Sequence, residues 1–235
     1  MEDKNKNKIL LRTGKQFLTY ILIDKNEPVG IIKEINPQYL KTDKYQKIKE
    51  QFEIEKELLK FFDIKGIPKY KDSGEDFLHL SYIRGKNLKE YLLKDKISDK
   101  EKIRLLLELS EIIKNIHRTG IVHCDIKPEN IIYDGIKVSL IDFGSAVPIG
   151  EKSIYIQGSK EFSAPEIFKN ENRYVQSDIF SFVKLCIWLK LERYLPKNFI
   201  SFGIAKNKNE RFNSINEVIK IIRELGENYE TILHL

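Results

Sequence analysis

Asp125, Lys127 and Asn130 lie close together in the string His123-Cys124-Asp125-Ile126-Lys127-Pro128-Glu129-Asn130, and a further carboxylate follows in Asp142-Phe143-Gly144. Between them the pattern is that of a hairpin: Ile131-Ile132-Tyr133, then Asp134-Gly135 as a tight turn with positive φ at both residues, then Ile136 to Ile141. Such a fold-back brings Asn130 and Asp142 to the same end. An amide oxygen and a carboxylate are hard ligands suited to Mg²⁺, and two protein ligands leave room on the ion for phosphates and water. Another charge is conspicuous upstream. Glu55 stands among Ile48, Phe52, Leu59 and Phe62, the apolar stripe of a helix expected over about Lys44 to Phe62, and a carboxylate in that position requires a cation.

The elements that must position these residues fall into two groups. Phe17–Ile23 and Val29–Ile35 are rich in β-branched and aromatic residues and flank the turn-like cluster Asp24 to Pro28, predicting an antiparallel pair. The helix holding Glu55 comes next, and Phe77–Tyr82 reads as a further strand. From Leu88 the pattern is mostly helical. Ser98 and Glu101 form a capping-box signature for a helix running to Gly120, Asp178 to Leu191 is apolar nearly all round and predicts a buried helix, and Ser214 with Glu217 opens a last helix reaching about Leu225. No internal repeat or low-complexity linker interrupts the chain.

The catalytic-type string, Asp142-Phe143-Gly144 and Ala164-Pro165-Glu166 resemble, in order and spacing, the catalytic loop, metal-binding motif and Ala-Pro-Glu of eukaryotic-like (Hanks-type) protein serine/threonine kinases. The resemblance runs from about Gly14 to Leu225. It implies an α+β, bilobal protein-kinase-like fold: residues 1–82 as a small sheet lobe with one helix, residues 83–235 as a mainly helical lobe, the two sharing a cleft. It also implies an ATP-dependent enzyme in which Asp125 accepts or orients the substrate hydroxyl, Lys127 neutralises the transferring phosphoryl group, and Asn130 and Asp142 hold Mg²⁺. Lys33, in Gly30-Ile31-Ile32-Lys33, matches the phosphate-gripping strand lysine and Glu55 its helix partner, with Glu53 and Glu57 as rivals off the stripe. By the same resemblance Leu80 is the gatekeeper, Ser81 and Ile83 offer backbone to the adenine edge, and Ile21, Ile31 and Ile132 sandwich the ring. Leu59, His123 and Phe143 form a spine, Asp178 holds the catalytic-loop backbone, and Arg211 pairs with Glu166. Ser159 is expected to bond Lys127 and Asp125.

Several departures from the family pattern bear on function. The glycine-rich loop is reduced to Gly14-Lys15-Gln16-Phe17-Leu18-Thr19, so fewer backbone amides can approach phosphates closely. Cys124 stands where many relatives have the arginine that meets an activation-loop phosphate, so the active arrangement is expected to form without one, although Ser145, Ser153, Tyr155, Ser159 and Ser163 lie in that loop. The chain before Arg211 is short, which suggests that a docking helix is reduced or missing. Three alternatives stay open: a pseudokinase binding module, a small-molecule kinase of the aminoglycoside or choline type, and the atypical kinase of the tRNA threonylcarbamoyladenosine machinery. The last two usually lack the Lys127-Pro128-Glu129 insert.

Composition excludes other classes. The 235 residues, 41% hydrophobic and 32% charged, describe a folded domain and not a disordered or fibrous chain. The net charge of +6 is spread among glutamates without a basic, aromatic-interleaved block, so no nucleic-acid partner is expected. Two distant cysteines, Cys124 and Cys186, give no disulfide framework or zinc spacing and fit a reducing cytosol. The polar start MEDKNKNK is no signal peptide, and the apolar run Ile179–Leu191 is too short to span a membrane. The expected partners are protein substrates with serine or threonine acceptors, and oligomeric state is not legible.

Overall fold

A computed structural model of the chain describes residues 7–154 and 158–232. They divide into two compact units, one formed by the residues up to Asp63 with Pro68–Arg84, the other by Ile64–Ile67 with the residues from Gly85 onward.

The first unit contains β1 (Asn7–Thr13), β2 (Phe17–Asp24), β3 (Glu27–Ile35), α1 (Tyr45–Phe61), β4 (Tyr70–Ser73) and β5 (Phe77–Ser81). The strands form an antiparallel sheet in the order β1-β2-β3-β5-β4. Sequence reasoning found β2, β3 and β5 but not β1 or β4. The turn after β2 is tighter than the expected five-residue cluster. Only Lys25 and Asn26 lie outside the strands, at φ 48° and 66°, while Pro28 belongs to β3 and faces Ile23 beside a bulge. Two residues with positive φ match the right-handed twist of the flanking strands, which explains why the loop closes so early. Helix α1 buries Ile48, Phe52 and Leu59, and the Phe52 ring meets that of Phe17 with centroids 4.9 Å apart.

The second unit contains β6 (Lys86–Asn87), α2 (Leu88–Lys94), α3 (Asp99–Arg118), β7 (Ile121–Val122), β8 (Ile131–Tyr133), β9 (Val138–Leu140), β10 (Val147–Pro148), α4 (Pro165–Phe168), α5 (Val175–Trp188), α6 (Lys197–Gly203) and α7 (Ile215–Ile232). Its small sheets are β6-β8-β9 and β7-β10. Both halves of the Ser98–Glu101 capping box form at the start of α3, and the helix ends just before Gly120, whose φ of 81° a side chain would oppose. Helix α7 packs along α3 and continues beyond the expected end at Leu225. Gly226, which could have stopped it, lies instead against α3, where an added Cβ would sit 3.4 Å from Ile103 Cγ2. The buried helix begins at Val175 and ends at Trp188, a few residues ahead of the expected span, because Lys190 turns the chain at φ 60°. The stretch before Arg211 does contain a helix, α6, which is one short segment burying Phe199.

The loop between β8 and β9 also differs from expectation. Gly135 has φ 95°, but Asp134 does not join it in the left-handed region. Asp134 Oδ1 instead accepts the amides of Ile136 at 2.8 Å and Lys137 at 2.7 Å, so the carboxylate organises a longer four-residue loop.

A polar clasp ties the turn Glu192–Tyr194 to the start of α3. Lys102 Nζ, Arg193 Nη2 and Tyr194 Oη donate to Asp99 at 2.7, 2.7 and 2.9 Å. Burial alone would raise the Asp99 pKa, but these donors outweigh it and hold the group at about 2 against an ordinary 3.8. A depressed carboxylate adds stability above its unfolded pKa and loses it as pH falls toward the folded value. The urea midpoint of Asp99→Asn is therefore expected below that of the parent protein near neutrality, with the gap closing between about pH 5 and about pH 2. A gap independent of pH would remove the carboxylate's charge from the explanation.

Candidate active site

In the first unit, strand register places Ile21 opposite Ile31 and Ile31 opposite Leu80, a cross-strand row on one sheet face. Two residues along β3, on the same face, comes Lys33, between Thr19 and Leu78. Lys33 Nζ donates to Glu55 Oε1 at 2.9 Å and Oε2 at 2.7 Å, and also lies 4.6 Å from the Phe17 ring centroid. Glu55 is only 1% exposed, so the apolar stripe noted in the sequence indeed buries a carboxylate against a cation. The rivals are bound elsewhere: Glu53 accepts from Lys56 and Glu57 from Lys60, each at 2.7 Å along the helix itself.

What holds α1 in this register was not read from the sequence. Lys56 is fully buried and donates to the carbonyls of Gly74 at 2.6 Å and Glu75 at 2.9 Å in the β4–β5 turn. Lys49 bonds Glu75, and Tyr45 Oη donates to Asp76 at 2.7 Å. The turn between β1 and β2 is likewise tied down. Gly14 donates its amide to Phe17 O at 2.9 Å, and Asn36 and Gln38 donate to the Lys15 carbonyl at 3.3 and 3.0 Å. Further along the sheet, the Ser81 amide is taken by Lys69 O at 2.8 Å, so a ligand contact from Ser81 must use its carbonyl.

In the second unit, Asp178 organises the loop that carries the acidic string. Its Oδ2 accepts the His123 amide at 2.9 Å and its Oδ1 the Cys124 amide at 2.8 Å, fulfilling the role expected from resemblance. His117 Nε2 donates to the same Oδ2 at 2.9 Å, a third anchor that helical periodicity alone did not single out. Burial pushes the Asp178 pKa up, but the bond and charge of His117 and the nearby His123 hold it below the ordinary value. The His123 ring is buried edge-on to Phe143, centroids 4.8 Å apart, and burial lowers its pKa.

With its backbone fixed, the loop presents Asp125 in an asymmetric setting. Oδ2 accepts Lys127 Nζ at 2.5 Å and Asn130 Nδ2 at 2.8 Å. Oδ1 is buried and has no hydrogen-bond partner among the described residues. Burial raises the Asp125 pKa above 3.8, with Asp142 adding to the rise and Lys127 opposing it. Asn130 Nδ2 also donates to Asp125 O at 2.9 Å, which leaves the Asn130 amide oxygen for a cation. The Ile141 amide donates to Asn130 O at 2.9 Å, so the fold-back does bring Asn130 beside the residue preceding Asp142. Asp142 itself has φ 66°. Ile132, one residue into β8, is half-buried.

Glu166 and Arg211 form the expected buried pair, two parallel bonds of 2.7 and 2.9 Å, with Ser177 Oγ donating to Glu166 at 2.8 Å. Removing one partner of such a pair costs roughly 3–5 kcal/mol. Ser159 departs from expectation: its amide donates to Ser163 Oγ at 2.8 Å, and its hydroxyl reaches neither Lys127 nor Asp125.

The sequence profile of the family described as Protein kinase domain matches residues 16–230. The chain is 34% identical over 130 residues to a probable serine/threonine-protein kinase, pknA2, of Bifidobacterium longum, covering 53% of this chain and 17% of that protein. It is 30% identical over 151 residues to serine/threonine-protein kinase cds1 of Schizosaccharomyces pombe, covering 60% and 33% of the two chains. With serine/threonine-protein kinase 1 of African swine fever virus it shares 28% identity over 204 residues, 71% of this chain and 65% of that one. The chain thus spans a minor part of the first two relatives and about two thirds of the third.

Proposed function

Because this chain belongs to the protein kinase domain family, we propose that it transfers the γ-phosphoryl group of ATP to serine and threonine hydroxyls of proteins. The observation that carries the reading is the Asp125 carboxylate, with one oxygen fixed by Lys127 and Asn130 and the other buried without a partner. An unpartnered buried acceptor is costly unless a ligand donor completes it, and a substrate hydroxyl is such a donor. In the proposed step the hydroxyl oxygen forms the new bond to phosphorus as the bond to the ADP oxygen breaks. The hydroxyl proton goes to Asp125 Oδ1, and Lys127 neutralises charge on the moving group.

The remaining residues bind and orient. Asn130 Oδ1 and the Asp142 carboxylate suit Mg²⁺, which when bound neutralises phosphate oxygens. Lys33, steered by Glu55, grips phosphates. Ile21, Ile31 and Leu80, a row on one face of the first unit's sheet, supply apolar contact to adenine, with the Ser81 carbonyl and the Ile83 backbone at its edge. A reducing, cytosolic setting belongs to the same proposal and is supported by two buried free thiols. No helix among the described residues is long and apolar enough to cross a membrane.

Incubation with radiolabelled ATP, Mg²⁺ and generic protein acceptors, followed by phosphoamino-acid analysis, tests the reading. Phosphoserine and phosphothreonine are the expected products. Mainly phosphotyrosine, transfer only to an aminoglycoside or choline, or no incorporation at all would each overturn it.

A further inference from the structure

The turn between β4 and β5, Gly74-Glu75-Asp76, is bonded from two sides. From β3, the Ile35 amide donates to Asp76 O at 3.1 Å, and the adjoining ladder sets Glu34 opposite Phe77 and Lys33 opposite Leu78. From α1 come three side chains. Lys56 Nζ donates to Gly74 O at 2.6 Å and Glu75 O at 2.9 Å, Lys49 bonds the Glu75 carboxylate, and Tyr45 Oη donates to the Asp76 carboxylate at 2.7 Å. Tyr45, Lys49 and Lys56 recur at i, i+4 and i+11, which is one face of a helix, and together they span about 16 Å of its length. A stripe of that length converging on three consecutive residues fixes both the rotation of α1 and its position along its axis. The start of the helix adds little of its own: Lys44 makes no side-chain cap bond there, and the first turn holds no acidic residue.

Within the stripe, Lys56 has the most to lose from a rotation. It is 0% exposed, and its three N–H donors are met by the two turn carbonyls and by Glu53 Oε1 at 2.7 Å. A buried ammonium is costly unless its donors are all met, so this set of acceptors favours one setting of α1. Glu55 is the preceding residue, about 100° round the same helix, so the reach of its carboxylate to Lys33 is fixed by that setting. Ring packing joins the two places as well. Lys56 Nζ lies 4.5 Å from the Phe52 ring centroid, the Phe52 and Phe17 centroids are 4.9 Å apart, and Lys33 Nζ lies 4.6 Å from that of Phe17.

We propose that Lys56 is a positioning residue for nucleotide binding: by locking α1 onto the β4–β5 turn it sets Glu55, and through Glu55 it aims the Lys33 ammonium at phosphate. The proposal rests on the reading above in which Lys33 grips the phosphates of ATP. Lys56 itself touches no nucleotide. Its side chain ends in the turn, and what it transmits is the orientation of the next residue along the helix.

The test measures, by calorimetry, the ratio of ATP affinity to adenosine affinity, which isolates the phosphates, in the parent protein, Lys56→Met, Lys33→Met and the double variant. Lys56→Met is expected to lower the ratio about tenfold, the smaller end of what a hydrogen bond to a charged group contributes, with adenosine affinity unchanged. In the Lys33→Met background the same substitution is expected to leave the ratio where it is, because the ammonium it would misaim is gone. If Lys56→Met does not fold, Tyr45→Phe with Lys49→Met loosens the other two points of the stripe and is read in the same way. A parental ratio in Lys56→Met would mean that the lysine only stabilises the fold, and an equal fall with and without Lys33 would mean that it acts by another route. Either result overturns the proposal. A parent that binds ATP no more tightly than adenosine overturns the nucleotide reading itself before any variant is made, whereas a parent that binds ATP but transfers nothing overturns the kinase reading and still leaves the ratio to decide the role of Lys56.

Discussion

Asp125→Asn is expected to bind Mg-ATP as the parent protein does and to lose about 10²–10⁴-fold in kcat, the usual contribution of a positioned proton acceptor. The substitution keeps the shape of the side chain and can retain an oxygen facing Lys127, so the loop pinned by Asp178 should survive. What it removes is the anionic character of the buried, unpartnered oxygen. Asp142→Asn should fail differently. Asn130 has its nitrogen occupied within the loop, so the cation depends on one amide oxygen and on Asp142, and a neutral ligand there weakens nucleotide binding in the presence of Mg²⁺. Calorimetry with Mg-ATP separates the two variants. Equal loss of binding in both would contradict the division between proton acceptor and metal ligand.

The residues that sequence reasoning located share a physical property: each needs a particular side-chain type at its position. A carboxylate inside an apolar stripe, as Glu55 is, must have a cation; that the cation is Lys33, and that Glu166 pairs with Arg211, was expected from the family resemblance, and both pairs are present. The fold class was legible for a similar reason, because β2, β3, α1 and α3 carry strong period-two or period-3.6 patterns with chemical stop signals at their ends. Strand β1 carries none. Ile9, Leu10 and Leu11 are all exposed, so no buried face imposes an alternation on them. The carbonyl-directed anchors were hidden more deeply, because any backbone can accept a hydrogen bond. Nothing in the residue types of Gly74, Glu75, Glu166 or Ile167 announces that Lys56 or Arg173 will reach them. Asp134-Gly135 misled for a related reason. The dipeptide fits a two-residue turn, but the aspartate side chain offered the backbone a competing set of bonds.

Lys33→Met combines a chemical and a structural loss, and the two can be separated. Methionine preserves much of the aliphatic stem beside the Phe17 ring but removes the ammonium that contacts both oxygens of Glu55. Glu55, only 1% exposed, then loses the Lys33 ammonium, and breaking a buried pair costs roughly 3–5 kcal/mol. The Lys56, Lys49 and Tyr45 bonds to the β4–β5 turn are untouched and should keep α1 in place. Phosphoryl transfer is expected to fall by about 10²–10³-fold even at saturating ATP, because a fixed positive charge aimed at phosphate oxygens is lost. The double variant Lys33→Met with Glu55→Gln removes both charges and should recover most of the thermal stability, since a neutral amide in the same cavity carries a far smaller burial penalty. Activity should not return with it. If the double variant is both stable and active, or if Lys33→Met alone keeps full activity at saturating ATP, the Lys33–Glu55 pair holds the first unit together without taking part in phosphate binding.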